Sequence, residues 1–144
     1  MSKGKENRLL SVGCLLSPAE TDRLFIWLGD KRLNSVVDSP HVTLAFLPDV
    51  ICERSIGTEV LWNVVGYGND GQNEGVLVEL AQAPDELLNE ITLRREHHVT
   101  LSLANGAHAK DTAGLKFSPV KPLKIKTVYG LCTCEGNVVI KQES

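Results

Sequence analysis

His41-Val42-Thr43-Leu44 and His98-Val99-Thr100-Leu101 are one four-residue word written twice in a chain of 144 residues. Valine and threonine favour strands, and successive strand residues point to opposite faces. His41 and Thr43 therefore share one face, and Val42 and Leu44 the other. The second copy reads the same way, with His98, Thr100 and Ser102 set against Val99, Leu101 and Leu103. Each word is a strand with an apolar back and a front that carries an imidazole and a hydroxyl. One such word has an ordinary structural explanation. Two identical words predict a pair of strands, related by a pseudo-twofold, that bring two imidazoles and two hydroxyls into one cleft.

Working outward, Leu9 to Leu16 reads as a buried strand. Ser17-Pro18-Ala19-Glu20 reads as a capping box with proline at the first helical position. The helix it opens turns Leu24, Phe25, Trp27 and Leu28 toward a core and stops near Gly29. Pro40 holds its predecessor extended ahead of a strand from Val42 to Leu47. Val60 to Gly66 and Val76 to Leu80 are two apolar strands joined by the turn around Gly68-Asn69-Asp70-Gly71. Pro84-Asp85 opens a second helix with Leu87, Leu88 and Ile91 on one face. After the strand from His98 to Leu103, a short helix is expected over Lys110 to Phe117. The chain then closes with a hairpin, Leu123 to Cys134 and Val138 to Lys141, turned at Glu135-Gly136-Asn137. The sum is a single α+β domain over residues 9–144 behind a flexible polar tail, residues 1–8.

Composition narrows the classes. With 42% hydrophobic and 23% charged residues the chain can bury a core without staples. No apolar run approaches the roughly 20 residues that span a bilayer, and the start has no signal-peptide pattern, so a cytoplasmic protein with no membrane partner is expected. Cys14, Cys52, Cys132 and Cys134 make neither a Cys-x-x-Cys pair nor a zinc set, and read as reduced structural thiols. A net charge of −3 argues against generic polyanion binding. Lys110, Lys116, Lys121, Lys124 and Lys126, against Asp111 alone, form a basic stretch that reads either as a solvated face or as an aid to holding a phosphate backbone.

The chemistry that the doubled word suits is in-line attack on a phosphodiester. A neutral histidine takes a proton from water while a charged one gives a proton to the leaving oxygen. The threonine hydroxyls donate to the non-bridging oxygens and hold the phosphorus in place. Neither a metal nor another cofactor is required.

On these residues the chain resembles the 2H phosphoesterases, whose hallmark is two His-x-Ser/Thr-apolar motifs on paired central strands. Within them it is similar to the 2′,3′-cyclic-nucleotide 3′-phosphodiesterases and the cyclic phosphodiesterase domain of RNA ligases. The run from His98 to Thr112 matches that branch's second motif without a gap. The resemblance implies a bilobal α+β fold, two antiparallel sheets facing across a central cleft with helices outside. It implies hydrolysis of ribose 2′,3′-cyclic phosphates, at RNA ends or in cyclic nucleotides, to 2′-phosphates, as in RNA processing and repair. It also implies catalytic roles for His41 and His98, phosphate binding by Thr43 and Thr100, and a substrate pocket lined by backbone groups of Ala109 and Lys110. His98 is then the base that activates water and His41 the acid at the 3′-oxygen.

Two positions depart from the branch. An arginine two residues before the second histidine is replaced by Glu96, with Arg95 one earlier, and a proline near position 109 by Ala109 and Lys110. Substrate preference is where such changes tell. Degradation of 2′,5′-oligoadenylates or cyclic oligonucleotide signals is the nearest alternative activity, and a non-catalytic RNA- or nucleotide-binding module is the alternative of another class. His97 is expected on the face opposite His98, structural or exposed. His108 reads as a loop histidine, solvated or touching substrate. Tyr129 and Phe46 fit either core packing or the wall of the cleft, Trp27 and Trp62 fit the core, and a monomer is expected.

Overall fold

The computed structural model describes residues 9–29, 32–37, 40–46, 55–133 and 138–139. The expected tail, Cys52, the turn at 135–137 and the side chains of Phe46, Lys110, Cys132 and Cys134 lie outside the described residues. In chain order the elements are β1 (Leu9–Leu15), α1 (Pro18–Leu28), β2 (Ser35–Val36), β3 (His41–Phe46), β4 (Glu59–Asn69) and β5 (Asn73–Gln82). There follow α2 (Asp85–Thr92), β6 (His97–Leu103), a 3-10 helix (Ala109–Gly114), β7 (Ser118–Thr133) and β8 (Val138–Val139).

The strands run β1-β3-β6-β5-β4-β7, and β7 pairs back onto β1. The sheet thus closes as a six-stranded antiparallel barrel in a mixed α+β chain, with β2 added to β6 and β8 to β7. Closure leaves these six strands without a bare edge. The β4–β5 hairpin is long, paired from Leu61 opposite Gln82 to Asn69 opposite Glu74. Its turn is tied by Asp70 Oδ1, which accepts the N–H groups of Gln72 at 2.9 Å and Asn73 at 2.8 Å. The β3–β6 junction is short by comparison. It is registered by a single pair, Val42 opposite Val99.

Period-two alternation decides what is buried. Val12 and Cys14, Val42 and Leu44, Val60, Trp62 and Val64, Val76 and Val78, Val99 and Leu101, and Ile125 and Tyr129 are each at most 2% exposed and form one core. Trp62 donates its indole N–H to Thr127 Oγ1 at 3.1 Å, and that hydroxyl donates to the Val60 carbonyl at 2.8 Å. Burial pushes the Cys14 thiol up to about 12, which makes it the inert, reduced side chain that its composition suggests. Of the two readings of Tyr129, the core one holds. The ring is fully buried, and its hydroxyl donates to Glu90 of α2 at 3.0 Å.

The start of α1 keeps the Ser17 half of the expected capping box, with Ser17 Oγ accepting the Glu20 N–H at 3.1 Å and Pro18 in the first turn. The Glu20 carboxylate is taken up by Arg23 and by the Lys126 N–H at 2.8 Å, which pins the helix to β7. The expectation for Trp27 is corrected: it is 37% exposed. Leu24 and Leu28, four apart, centre the buried stripe, and Trp27 lies roughly a quarter-turn away on the Arg23 side.

At the end of β6, the fully buried Glu74 carries an ion pair with Arg32. It also accepts hydrogen bonds from Tyr67 at 2.5 Å and Ser102 at 2.7 Å. Arg32 stacks over the Phe25 ring at 4.6 Å, and Ser102 Oγ accepts the Leu33 N–H at 2.9 Å. Every oxygen of the buried carboxylate is engaged. This knot holds the segment that leads toward β3 against the end of β6.

Candidate active site

The two copies of the repeated word lie on neighbouring antiparallel strands, β3 and β6, and the pair Val42–Val99 sits at their centre. In an antiparallel pair, residues one step either side of a matched pair also face each other. His41 therefore lies opposite Thr100, and Thr43 opposite His98. Across the outer neighbours, Gly13 and Leu15 of β1 match Thr43 and His41, and Leu77 and Gly75 of β5 match His98 and Thr100. All four motif side chains are half-buried, whereas Val42, Leu44, Val99 and Leu101 are at most 2% exposed. The polar fronts thus occupy one patch of one face. The two histidines stand on its diagonal, where residues lie roughly 7–8 Å apart and their Cβ atoms somewhat closer.

Gly13 and Gly75 flank this patch for a steric reason. A Cβ on Gly13 would overlap the Val42 carbonyl, so glycine is what lets β1 close on β3 beside the motif. A Cβ on Gly75 would lie 2.6 Å from Thr112 Cγ2 and 2.7 Å from the Val99 carbonyl. Its absence seats the 3-10 helix against β5 and β6. There the hydroxyls of Thr100 and Thr112 lie 2.8 Å apart, and Thr100 Oγ1 is 3.4 Å from the Ala109 carbonyl. Asn73 fastens the same helix, its Nδ2 donating to the His108 carbonyl at 2.8 Å and to Thr112 Oγ1 at 3.1 Å. Ala109 is thus beside Thr100 through its backbone. The backbone of Lys110 is in the same turn. His108 serves through its carbonyl, and its side chain is exposed.

The electrostatics of the two neighbouring histidines of β6 differ in cause. Burial, then the charge of Arg94, hold His98 below the ordinary imidazole value, and Glu96 opposes them. His97 and His41 add smaller repulsions, and the contribution from His41 reflects their shared patch. His97 points the other way, as its place in the alternation requires. It is 8% exposed, its ring 5.0 Å from that of Trp62. Its Nε2 lies 2.9 Å from the Ile91 carbonyl, which can only accept, so that nitrogen carries the proton. Burial lowers this imidazole too.

Arg94 has no spacing that marks it in the sequence, yet it links the two motif strands. It lies just before β6, and its Nε donates to the Leu44 carbonyl of β3 at 3.0 Å. Together with Arg95 and His97 it borders an open hollow of about 300 Å³ between α2 and β5. None of the four motif residues lines that hollow. Among the described residues no three His, Cys, Asp or Glu side chains gather as a metal site. No helix among them is long and apolar enough to cross a membrane. No family model matches the chain, and no curated protein matches it in sequence.

Asn73, Gly75, Arg94 and Thr112 are the site residues that sequence reasoning missed. Thr112 lies within the run that carries the second motif, but nothing in its spacing from Thr100 predicts their contact. The one signal for it is Gly75, since a glycine inside a strand marks a close backbone approach.

Proposed function

We propose that the chain is a phosphodiesterase of the 2H type that opens ribose 2′,3′-cyclic phosphates to 2′-phosphates. The observation that carries the reading is the antiparallel meeting of two identical His-Val-Thr-Leu words about Val42 and Val99, polar fronts together. His98, kept neutral by burial and Arg94, takes a proton from water as the water oxygen bonds to phosphorus. The bond from phosphorus to the 3′-oxygen breaks, and His41 gives that oxygen its proton. Thr43 and Thr100, each opposite the other strand's histidine, donate to the non-bridging oxygens as charge builds there. The product is a 2′-phosphate beside a free 3′-hydroxyl, and the histidines are left ready for a proton exchange that resets them.

Substrate enters over the half-buried patch, along the backbone of Ala109 and Lys110. RNA ends and cyclic mononucleotides both present the required group.

The test is product analysis. The protein is incubated with 2′,3′-cyclic AMP, a 2′,5′-linked triadenylate and a cyclic dinucleotide, with and without EDTA, and products are separated by HPLC. The expected result is 2′-AMP from the first substrate at a rate EDTA does not lower. A 3′-phosphate product overturns the assignment of the leaving oxygen. Preferred cleavage of either oligonucleotide moves the activity to signal degradation, and no turnover of any of the three leaves a binding module.

A further inference from the structure

Thr112 is fully buried, and among the described residues its hydroxyl has two polar neighbours. Its Oγ1 already accepts from Asn73 Nδ2 at 3.1 Å, and its other polar neighbour is Thr100 Oγ1 at 2.8 Å. A hydroxyl holds a single proton. Were Thr100 to donate to Thr112, Thr112 would accept twice and its own proton would be buried without an acceptor among the described residues. Buried donors are rarely left so, because the unmade bond costs more than the made one returns. Asn73 is itself fixed by its bond to the His108 carbonyl, so the amide cannot turn its oxygen toward Thr112 without giving that bond up.

Building on the phosphodiesterase reading, we infer that Thr112 is a positioning residue: its hydroxyl donates to Thr100 Oγ1 and so leaves the Thr100 proton free for a ligand on the half-buried patch. Among the described residues that proton has only the long contact to the Ala109 carbonyl, 3.4 Å. A non-bridging phosphate oxygen offers a charged acceptor in its place, and charge-assisted bonds are the stronger kind. The relay Asn73–Thr112–Thr100 thereby presets a donor where Thr43, on the other strand, has no such 3-10 helix behind it in the described residues.

Three proteins test this, wild type, Thr112→Val and Thr112→Ser, with inorganic phosphate titrated against the His98 and Thr100 signals by NMR. Thr112→Val keeps the shape and removes the proton, and phosphate affinity is expected to fall about three- to tenfold, one misaligned hydrogen bond. Thr112→Ser is expected to restore it. With 2′,3′-cyclic AMP, kcat/KM is expected to follow the same order, most of the loss lying in KM. Equal phosphate affinity in wild type and a folded Thr112→Val overturns the relay. If Thr112→Val does not fold, the wild type still decides. A slowly exchanging hydroxyl proton coupled to the Thr112 Hβ supports donation from Thr112 to Thr100, and one coupled to the Thr100 Hβ reverses it. A wild type that binds phosphate through the relay but turns over no cyclic phosphate leaves this inference standing and removes the proposed reaction.

Discussion

Gly75 of β5 and Thr112 of the 3-10 helix share a space that a Cβ on Gly75 would fill, 2.6 Å from the Thr112 methyl carbon. Because Gly75 is also the partner of Thr100, this contact lies directly beside the motif. Gly75→Ala must push the helix away or bend β5. The expected cost is about 1–3 kcal/mol of stability, as for overpacking elsewhere, with a loss of turnover larger than that of an exposed control such as Gln72→Ala. Urea unfolding and kcat/KM measure the two effects, and an alanine variant as stable as wild type would show that the helix is not seated there.

His41→Ala and His98→Ala are each expected to lower kcat by roughly 10²–10⁴, the range for loss of one acid or base, with melting temperatures near wild type. Both side chains are half-buried on the polar face, and neither fills the core. Either variant keeping most of its turnover would end the paired mechanism.

The pH profile carries a sign that can be worked out beforehand. The base must be neutral, so kcat/KM rises as pH passes upward through the His98 pKa, which lies below the ordinary 6.5. Arg94→Gln removes a repelling cation, raises that pKa and moves the acid limb to higher pH. Glu96→Gln removes an attracting anion and moves it to lower pH. Limbs that stay put, or move together, would contradict the assignment of His98 as base.

Acid stability follows from the same residues by linkage. Burial depresses both His97 and His98 in the folded state, so below about pH 6.5 the unfolded chain binds more protons than the folded one. Stability is therefore present above that pH and is lost as pH falls through the folded values. Melting temperatures from pH 7.5 to 5.5 are expected to decline. The decline should be shallower in His97→Phe, which removes the more deeply buried ring. A slope unchanged by that substitution would assign the acid sensitivity elsewhere.

Arg32→Ala leaves the Glu74 carboxylate buried beside Tyr67 and Ser102 with its cation gone. Breaking a buried pair from one side costs about 3–5 kcal/mol, whereas Arg32→Ala combined with Glu74→Gln should recover part of it. Denaturant midpoints of the two variants check the order.

Local periodicity makes the motif strands legible. In His41–Leu44 and His98–Leu101 the alternation of polar and apolar residues is a direct image of the half-buried and buried faces. The capping residues of α1 are legible for the same reason, since Ser17 and Glu20 act within one turn. What stays hidden is set by register and closure. The pairing of β7 with β1, which turns a sheet into a ring, joins the two ends of the chain and leaves no local mark. Thr112 and Asn73 meet beside an irregular step in the β5–β6 register between Glu74 and Gly75, and Arg94 reaches the Leu44 carbonyl from just before β6. Trp27 departs from its expected place because an aromatic on a helix suggests the core, whereas the polar anchors at Glu20 and Arg23 fix which way that helix is rolled.

The single matched pair between β3 and β6 among the described residues makes the spacing of His41 and His98 the least constrained length in the ring. His41 is aligned by β1 and His98 by β5, so each imidazole answers to a different neighbour. A substitution far from either one that alters the girth of the barrel would change the gap between them while both strands kept their own partners. Under the proposed reaction, selection for a bulkier or slimmer substrate would act on distant barrel positions, with the four motif residues left as they are.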